Sequence, residues 1–277
     1  MRKSGLILIA ALLTPAVCAD TPTLFDIVES RPLEVKARDT ARNPVETLQF
    51  FKLEPGMTVA EALPGGGWYT QIIAPYVGEK GRVYGINYND DMWARFGFFS
   101  AEAIAEQIAL TAKFTGMVSA YPNAPFDVQA FTFATTPEAL QGTADRVLFI
   151  RALHNLNRFE EEAGTLTEAL GTAYDLLKEG GMVGVVQHRA PEENSDKWAD
   201  GSAGYLKQSQ LIASFEAAGF TFVQSSEINA NPKDKPTESD MVWRLPPTYF
   251  GVQDDPNKKA SVDAIGESDR MTLLFKK

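Results

Sequence analysis

The chain has 277 residues, 44% of them hydrophobic, with 26 basic and 36 acidic side chains and a formal net charge of −10. This excess of acid argues against nucleic acid and anionic membranes as partners, because both are negatively charged. The length suits one large domain, or one domain with an insertion, and we expect a small molecule as the substrate.

The first 19 residues have the order of a secretory signal peptide. Two basic residues precede an apolar run over 6–17, and the small residues Cys18 and Ala19 follow. We predict cleavage after Ala19 and export, to the periplasm if the source is a bacterium with two membranes. Acylation of Cys18 in a lipoprotein is the alternative. Cleavage removes the only cysteine and leaves no segment for stable membrane insertion.

Residues 20–56 are predicted to form a leader with a helix near 41–52, and beyond it short apolar runs alternate with amphipathic stretches. The predicted strands are 57–63, 83–86, 127–133, 145–150, 182–188, 220–227 and 270–277. The predicted helices are 68–77, 101–115, 158–178 and 208–218, with Asn157 as the cap of the third. Residues 229–268 are rich in proline, carry no helix signal and are predicted to form an irregular excursion, a flap or lid.

Strands that alternate with helices predict an α/β fold, a three-layer Rossmann-like arrangement with helices on both faces of the sheet. The long connection before the last strand favours a seven-stranded, mostly parallel sheet with an antiparallel last strand. We therefore predict one domain over residues 57–277, preceded by the leader.

The stretch VAEALPGGGWYT, residues 59–70, ends the first predicted strand with three glycines. Glycine lets the backbone approach a ligand closely, and ligands bind where parallel strands end. A phosphate-binding loop would need Lys after its last glycine, but Trp68 follows Gly67. The pattern indicates contact with a nucleotide-like ligand; a tight turn without a ligand is the alternative.

Two histidines are the only ones in the chain, and each follows a predicted strand: His154 in RALHNL and His188 in VVQHRA. Loops after neighbouring parallel strands share one edge of the sheet, so we expect both imidazoles to face the ligand together with Arg151, Asn155 and Arg189. A histidine of near-neutral pKa could accept a proton, and an arginine could bind a carboxylate or phosphate. Structural histidines are the alternative. A metal site with Glu192 lacks a clear third ligand, and we predict no metal.

The aromatic group YNDDMWARFGFF, residues 88–99, has two interpretations. Trp93, Phe96, Phe98 and Phe99 could form a wall around an adenine ring, or a packing patch beneath the leader or the excursion.

The layout resembles the class I S-adenosylmethionine-dependent methyltransferases. Their first motif, an acid at the end of a strand before a glycine-rich loop, is similar to VAEALPGGG, with Glu61 in the acidic place. Their late motif is similar to LLKEGGMVGVV, residues 176–186. More closely, PGGGWYTQIIAPYV, RALHNL and VVQHRA together resemble a smaller family of exported predicted methyltransferases, from Arg38 to the C-terminus.

The resemblance implies S-adenosylmethionine as the cofactor. Glu61 would seat its methionine end and Asn87 would meet its ribose, with further contacts from Pro64, Gly65, Gly66, Gly67 and Tyr69. The chain departs from the family pattern at two places: Leu63 stands where the first glycine is usual, and Asn87 stands where an acid is usual.

The function implied is an exported methyltransferase that acts on a small molecule or an envelope component. The alternative is a non-catalytic protein that binds a small ligand on the same scaffold. Leu63 and Asn87 favour this alternative, as does export itself, because the cofactor is made in the cytosol.

Overall fold

A computed structural model describes residues 22–277, and the predicted signal peptide lies outside the described residues. The leader contains four short helices: α1 (Leu24–Ser30), α2 (Leu33–Lys36), α3 (Asp39–Arg42) and α4 (Pro44–Phe50). The single helix predicted near 41–52 is wrong at its start, because Asn43 has a left-handed backbone (φ 41°) and separates α3 from α4. No helix within 22–277 has the length and apolar character needed to cross a bilayer.

The seven predicted strands are all present, each displaced by a few residues at most except the fifth, which is longer. The strands are β1 (Thr58–Ala62), β2 (Arg82–Asn87), β3 (Asp127–Thr132), β4 (Ala144–Ile150), β5 (Leu177–Ala190), β6 (Leu206–Lys207), β7 (Thr221–Ser226) and β8 (Arg270–Lys276). The short β6 was not predicted, and it pairs in parallel with the end of β5.

The helices after the leader are α5 (Thr70–Val77), α6 (Met92–Arg95), α7 (Ala101–Ser119), α8 (Leu153–Arg158), α9 (Glu160–Ala163), α10 (Thr165–Leu176), α11 (Gln208–Ala217) and α12 (Pro256–Ile265). The predicted helix 158–178 is wrong in its first part, because Gly164 is left-handed (φ 64°) and separates α9 from α10. Asn157 is no cap: it lies inside α8 and its side-chain amide donates to the carbonyl oxygen of Asp200 at 2.7 Å.

The excursion is not wholly irregular, because it contains α12 and a 3-10 turn over Val242–Arg244. Asp255 caps α12: its side chain accepts hydrogen bonds from the backbone of Asn257 and Lys258, and Pro256 occupies the first helical position. The prediction of no helix here is therefore wrong.

The strand order is β3-β2-β1-β4-β5-β8-β7. Neighbours among β1 to β5 pair in parallel, while β8 is antiparallel to both β5 and β7. This confirms the predicted seven-stranded, mostly parallel sheet with an antiparallel last strand.

Both faces of the sheet are covered. Successive residues of β4 point to opposite faces: Leu148 packs with the leader, α5 and α7, whereas Val147 and Phe149 pack with α10 and α11. The carboxyl ends of the parallel strands β1, β2, β4 and β5 therefore meet at one edge of the sheet, where a ligand site is expected.

Candidate functional site

The glycine turn, residues 63–67, follows β1 directly. Gly65 and Gly67 have left-handed backbones (φ 55° and 76°), and so does Leu63 (φ 54°). A Cβ added to Gly65 or Gly66 would meet nothing within 4 Å, whereas one on Gly67 would lie 2.9 Å from the side chain of Met117. Gly65 and Gly66 thus leave open space for a ligand, while Gly67 allows close packing against α7.

Two adjoining cavities open beside this turn, a smaller one of about 370 Å³ and a larger one of about 900 Å³. Each lies within the size range typical of small-molecule sites, roughly 300–1,000 Å³. Residues that line both cavities are Leu63, Pro64, Gly65, Arg151, Asn155, Trp243 and Thr248.

The smaller cavity brings together residues from distant parts of the sequence. Glu61, Gly66 and Tyr69 line it from the side of the glycine turn, while His154 lines it from the start of α8 and His188 from the end of β5. Residues suited to bind a ligand and residues suited to accept a proton therefore face the same space.

Glu61 is buried in β1, with 4% of its surface exposed. Burial raises the pKa of its carboxyl group to about 7. The Thr70 hydroxyl donates a hydrogen bond to Oε2 at 2.6 Å, and this bond lowers the pKa but does not offset the burial. Near neutral pH both the protonated and the ionised carboxyl are therefore populated.

The imidazoles of His154 and His188 lie 5.5 Å apart, centroid to centroid. Nδ1 of His154 is 3.4 Å from Oε1 of Gln187, and Nδ1 of His188 is 2.6 Å from the hydroxyl of Ser268. Burial lowers the pKa of His154 to about 4 and holds that of His188 well below its usual range. The expected near-neutral pKa is thus wrong for both: at pH 7 each imidazole is uncharged and is a weak base.

Arg151 follows β4 at the junction of the two cavities, with a left-handed backbone (φ 59°). Its Nε is buried and has no hydrogen-bond partner within residues 22–277. Burial lowers the pKa of its guanidinium group, and the positive charge of Arg270 adds to this effect. Asn155, four positions later, lines the same junction.

Arg189 does not face either cavity, so the expectation that it joins the histidines is wrong. Its guanidinium group forms ion pairs with Asp269 at 2.8 Å and with Glu227 at 2.7 Å, and these partners raise its pKa. It lines a separate cavity with Glu192, whose carboxylate accepts hydrogen bonds from Ser209. Within the part of the chain that the structure describes, no group of three potential ligands could hold a metal ion.

Asn87 ends β2 and lines the larger cavity. Its amide donates to the hydroxyl of Thr111 at 3.0 Å, and its oxygen accepts from the backbone of Tyr88 at 2.9 Å. The side chain is thus held in place by protein groups and offers a ligand only its remaining donor and acceptor positions.

The aromatic group of residues 88–99 both packs and lines the larger cavity. Trp93 and Phe96 are buried in the hydrophobic core, whereas Phe98 is 70% exposed; all three line the cavity together with Phe99. Trp93 and Phe99 meet edge to face with centroids 5.8 Å apart. The segment therefore packs in the core and lines a cavity, and its contact with an adenine ring stays a prediction.

The leader covers the glycine turn from outside. The hydroxyl of Tyr69 donates to the carbonyl oxygen of Arg42 at 3.2 Å, and Nε1 of Trp68 donates to that of Val35 at 3.3 Å. The Arg42 guanidinium lies 4.6 Å from the centre of the Trp68 ring. These contacts fix the first turn of α5 and leave Tyr69 buried in the wall of the smaller cavity.

Several lining residues were not foreseen individually. Val242, Trp243 and Leu245 of the excursion line the smaller cavity, as do Glu267 and Ser268 just before β8. The sequence predicted only that the proline-rich excursion could form a flap or lid. Nothing in its local sequence indicates which of its side chains line the cavity.

Comparison with known proteins is consistent with this fold. A family model for protein-L-isoaspartate(D-aspartate) O-methyltransferase matches residues 28–142, less than half of the chain. A search of curated proteins finds no match.

Among solved structures, the cyclase SpnF has a TM-score of 0.51 at 16% identity, covering 86% of this chain and 80% of its own. A predicted sarcosine dimethylglycine methyltransferase from Galdieria sulphuraria has a TM-score of 0.50 at 10% identity, covering 90% of this chain and 89% of its own. An S-adenosylmethionine-dependent methyltransferase from Aquifex aeolicus has a TM-score of 0.47 at 18% identity, covering 72% of this chain and 93% of its own. Likeness at this level shows the fold and not the activity. Taken with the strand order, it shows that the chain has the class I methyltransferase fold.

Proposed function

We propose that the protein is a methyltransferase that uses S-adenosylmethionine and acts on a small molecule or an envelope component. One observation carries the proposal: Glu61 and Gly66, beside β1, line the same cavity as His154 and His188. When bound, the cofactor supplies a methyl group on a sulfonium, which passes to the acceptor as the acceptor gives up a proton and S-adenosylhomocysteine is left.

The residues present fit this cofactor. Gly65 and Gly66 leave open space where a Cβ would otherwise stand. Glu61 offers a buried carboxyl group for an ammonium, and Asn87 offers an amide for a ribose hydroxyl. Leu63 adopts the left-handed backbone that favours glycine, so the departure at this position changes the side chain but keeps the shape of the turn.

The chain's own contribution is to orient the acceptor and to exclude water. Trp243 and Leu245 line the smaller cavity, and two uncharged imidazoles form part of its wall. Because His154 and His188 are uncharged at neutral pH, each imidazole keeps one ring nitrogen whose lone pair can accept a hydrogen bond from the acceptor.

Calorimetric titration of the purified protein with S-adenosylmethionine and S-adenosylhomocysteine tests the proposal. We expect saturable binding of both, with adenosine binding more weakly because it lacks the methionine portion. No heat and no thermal shift at millimolar ligand would overturn the proposal. Tight binding without any release of S-adenosylhomocysteine over a panel of acceptors would favour the non-catalytic alternative.

We also propose export, and with it membership of the exported family, on the order of charge, apolar run and small residues over 1–19. Expression in a bacterium with two membranes, followed by fractionation and N-terminal sequencing, tests this. We expect a periplasmic product that begins at Asp20. A cytosolic product that retains Met1 would contradict it, and a membrane-bound product acylated at Cys18 would support the lipoprotein alternative.

A further inference from the structure

We infer that the acceptor is a hydrophobic carboxylic acid whose carboxylate binds Arg151 while its apolar body lies in the larger cavity. Binding of such an acid follows from the geometry around Arg151. That the bound acid accepts a methyl group rests on the proposed function.

The first support is an excess of positive charge beside the smaller cavity. Arg38, Arg42 and Arg270 all pair with one carboxylate, that of Glu267, at 2.7, 3.4 and 3.1 Å. The single negative charge of Glu267 balances only one of these three positive charges, and Arg151 adds a fourth positive charge. A concentration of cations in a chain of net charge −10 favours an anionic ligand at this place.

The second support is the state of Arg151 itself. Its buried Nε has no hydrogen-bond partner, and no carboxylate within residues 22–277 lies within 4.0 Å of its guanidinium group. A buried donor without a partner is unfavourable, and a ligand or an ordered water supplies the missing hydrogen bond. A carboxylate fits the planar guanidinium with two parallel hydrogen bonds.

The third support is the backbone. The left-handed φ of 59° is unfavourable for an arginine, and it places this residue at the point where the two cavities adjoin. Strained residues of this kind are concentrated at ligand-binding sites, where the surrounding structure holds them.

The apolar character of the acceptor follows from the larger cavity. Its wall includes Trp93, Phe96, Phe99 and Phe114, and Phe98 and Phe250 remain 70% and 58% exposed along it. The two adjoining cavities each have the volume of a small-molecule site, so together they offer room for a second ligand beside a cofactor.

The test compares two probes of the same shape, 2-naphthoate and its neutral amide, by calorimetry on the protein with and without S-adenosylhomocysteine. We expect naphthoate to bind about tenfold more tightly than the amide, the effect of one charge-assisted hydrogen bond. Arg151→Gln is expected to abolish this preference and to leave the affinity for the amide unchanged. Arg158 is a second cation that lines the larger cavity. Its variant Arg158→Gln is the matched control and is expected to keep the preference for naphthoate.

Equal binding of the two probes to the unaltered protein would overturn the inference. So would a preference for naphthoate that is lost in Arg158→Gln but kept in Arg151→Gln. If Arg151→Gln weakens S-adenosylhomocysteine as much as naphthoate, the carboxylate bound there is the cofactor's own and the inference fails. Should Arg151→Gln not fold, Arg151→Lys replaces it: a point charge without the planar fork is expected to reduce the preference. Failure of the proposed function is distinguishable, since it would abolish binding of S-adenosylhomocysteine while the naphthoate preference of the free protein persists.

Discussion

Leu63 and Arg151 occupy equivalent places at the ends of two adjacent strands. Each is a non-glycine residue with a left-handed backbone, at φ 54° after β1 and φ 59° after β4. Each uses its backbone N–H to bond to the next strand outward, Leu63 to Ile86 at 2.7 Å and Arg151 to Val186 at 2.6 Å. Together they form the rim between the two cavities, so two strained residues hold the opening in which a ligand would lie.

The strain at Leu63 is measurable by comparing two truncations. Leu63→Gly and Leu63→Ala both remove the side chain, but only glycine adopts the left-handed conformation freely, so the Gly variant is expected to be more stable by about 1 kcal/mol. Urea unfolding of both variants measures the difference. Leu110 in α7 is the control: there Gly is expected to be less stable than Ala by about 1 kcal/mol, as in any helix interior. A Leu63→Gly variant less stable than Leu63→Ala would contradict the assignment of strain.

Gly66 and Gly67 are expected to respond differently to an added side chain. Gly66→Val places its side chain in open cavity space, so binding of S-adenosylhomocysteine is expected to be lost while the thermal midpoint stays near that of the unaltered protein. Gly67→Ala forces a Cβ to within 2.9 Å of Met117 at a positive φ, so the thermal midpoint itself is expected to fall. Calorimetry and thermal unfolding separate the two effects. Unchanged affinity in Gly66→Val would show that the turn does not touch the ligand.

Glu61 is expected to make stability depend on pH. Its folded-state pKa of about 7 lies above the ordinary value of 4.5, so the folded state retains a proton that the unfolded chain releases. The contribution of Glu61 to stability is therefore highest below about pH 4.5 and falls as the pH rises toward 7, by about 3 kcal/mol in total. Glu61→Gln, which cannot ionise, is expected to lack this fall.

Urea unfolding between pH 4 and 8 measures the effect of Glu61, with the exposed Glu46→Gln as the control variant that keeps the full pH dependence. Parallel stability curves for Glu61→Gln and the unaltered protein would refute the raised pKa.

His154→Ala is expected to reduce turnover by about tenfold, because it removes from the wall of the smaller cavity a ring nitrogen that can accept a hydrogen bond from the acceptor. Affinity for S-adenosylhomocysteine is expected to change far less, because the imidazole lies across the smaller cavity from the glycine turn and contacts His188, Gln187 and Trp243. Initial rates and calorimetry on the same preparation give both quantities. Equal losses would make His154 a structural residue.

The regular part of the fold was predictable because its signals are local. The apolar runs of β1 and β4 and the glycines after β1 each fix a strand or its end within a few residues. Asp255-Pro256 is also a local signal, since a capping acid followed by proline is typical of a helix start, although it stands in a segment rich in proline. Gly164 could equally have been interpreted as a break within the predicted helix 158–178.

What the sequence could not predict depends on contacts between distant residues. Arg189 is directed away from the site by Asp269, 80 positions later, and by Glu227, 38 positions later. The histidine pKa values are set by burial beneath Trp243 and other excursion residues, which no strand or helix pattern indicates. Residue types at strand ends therefore predicted which loops meet, but the charge state of each side chain required the tertiary structure.

The ion pair between Arg38 and Glu267 joins positions 229 residues apart, and Asn43 adds a hydrogen bond to the backbone of Ile228. The leader and the segment just before β8 are thus fastened together beside the smaller cavity, which Glu267 lines. A nascent chain cannot complete this wall until residue 267 has been synthesised, and proteolytic removal of the leader would take away a partner of Glu267. Recombinant versions intended for ligand studies should accordingly retain Arg38 and Asn43.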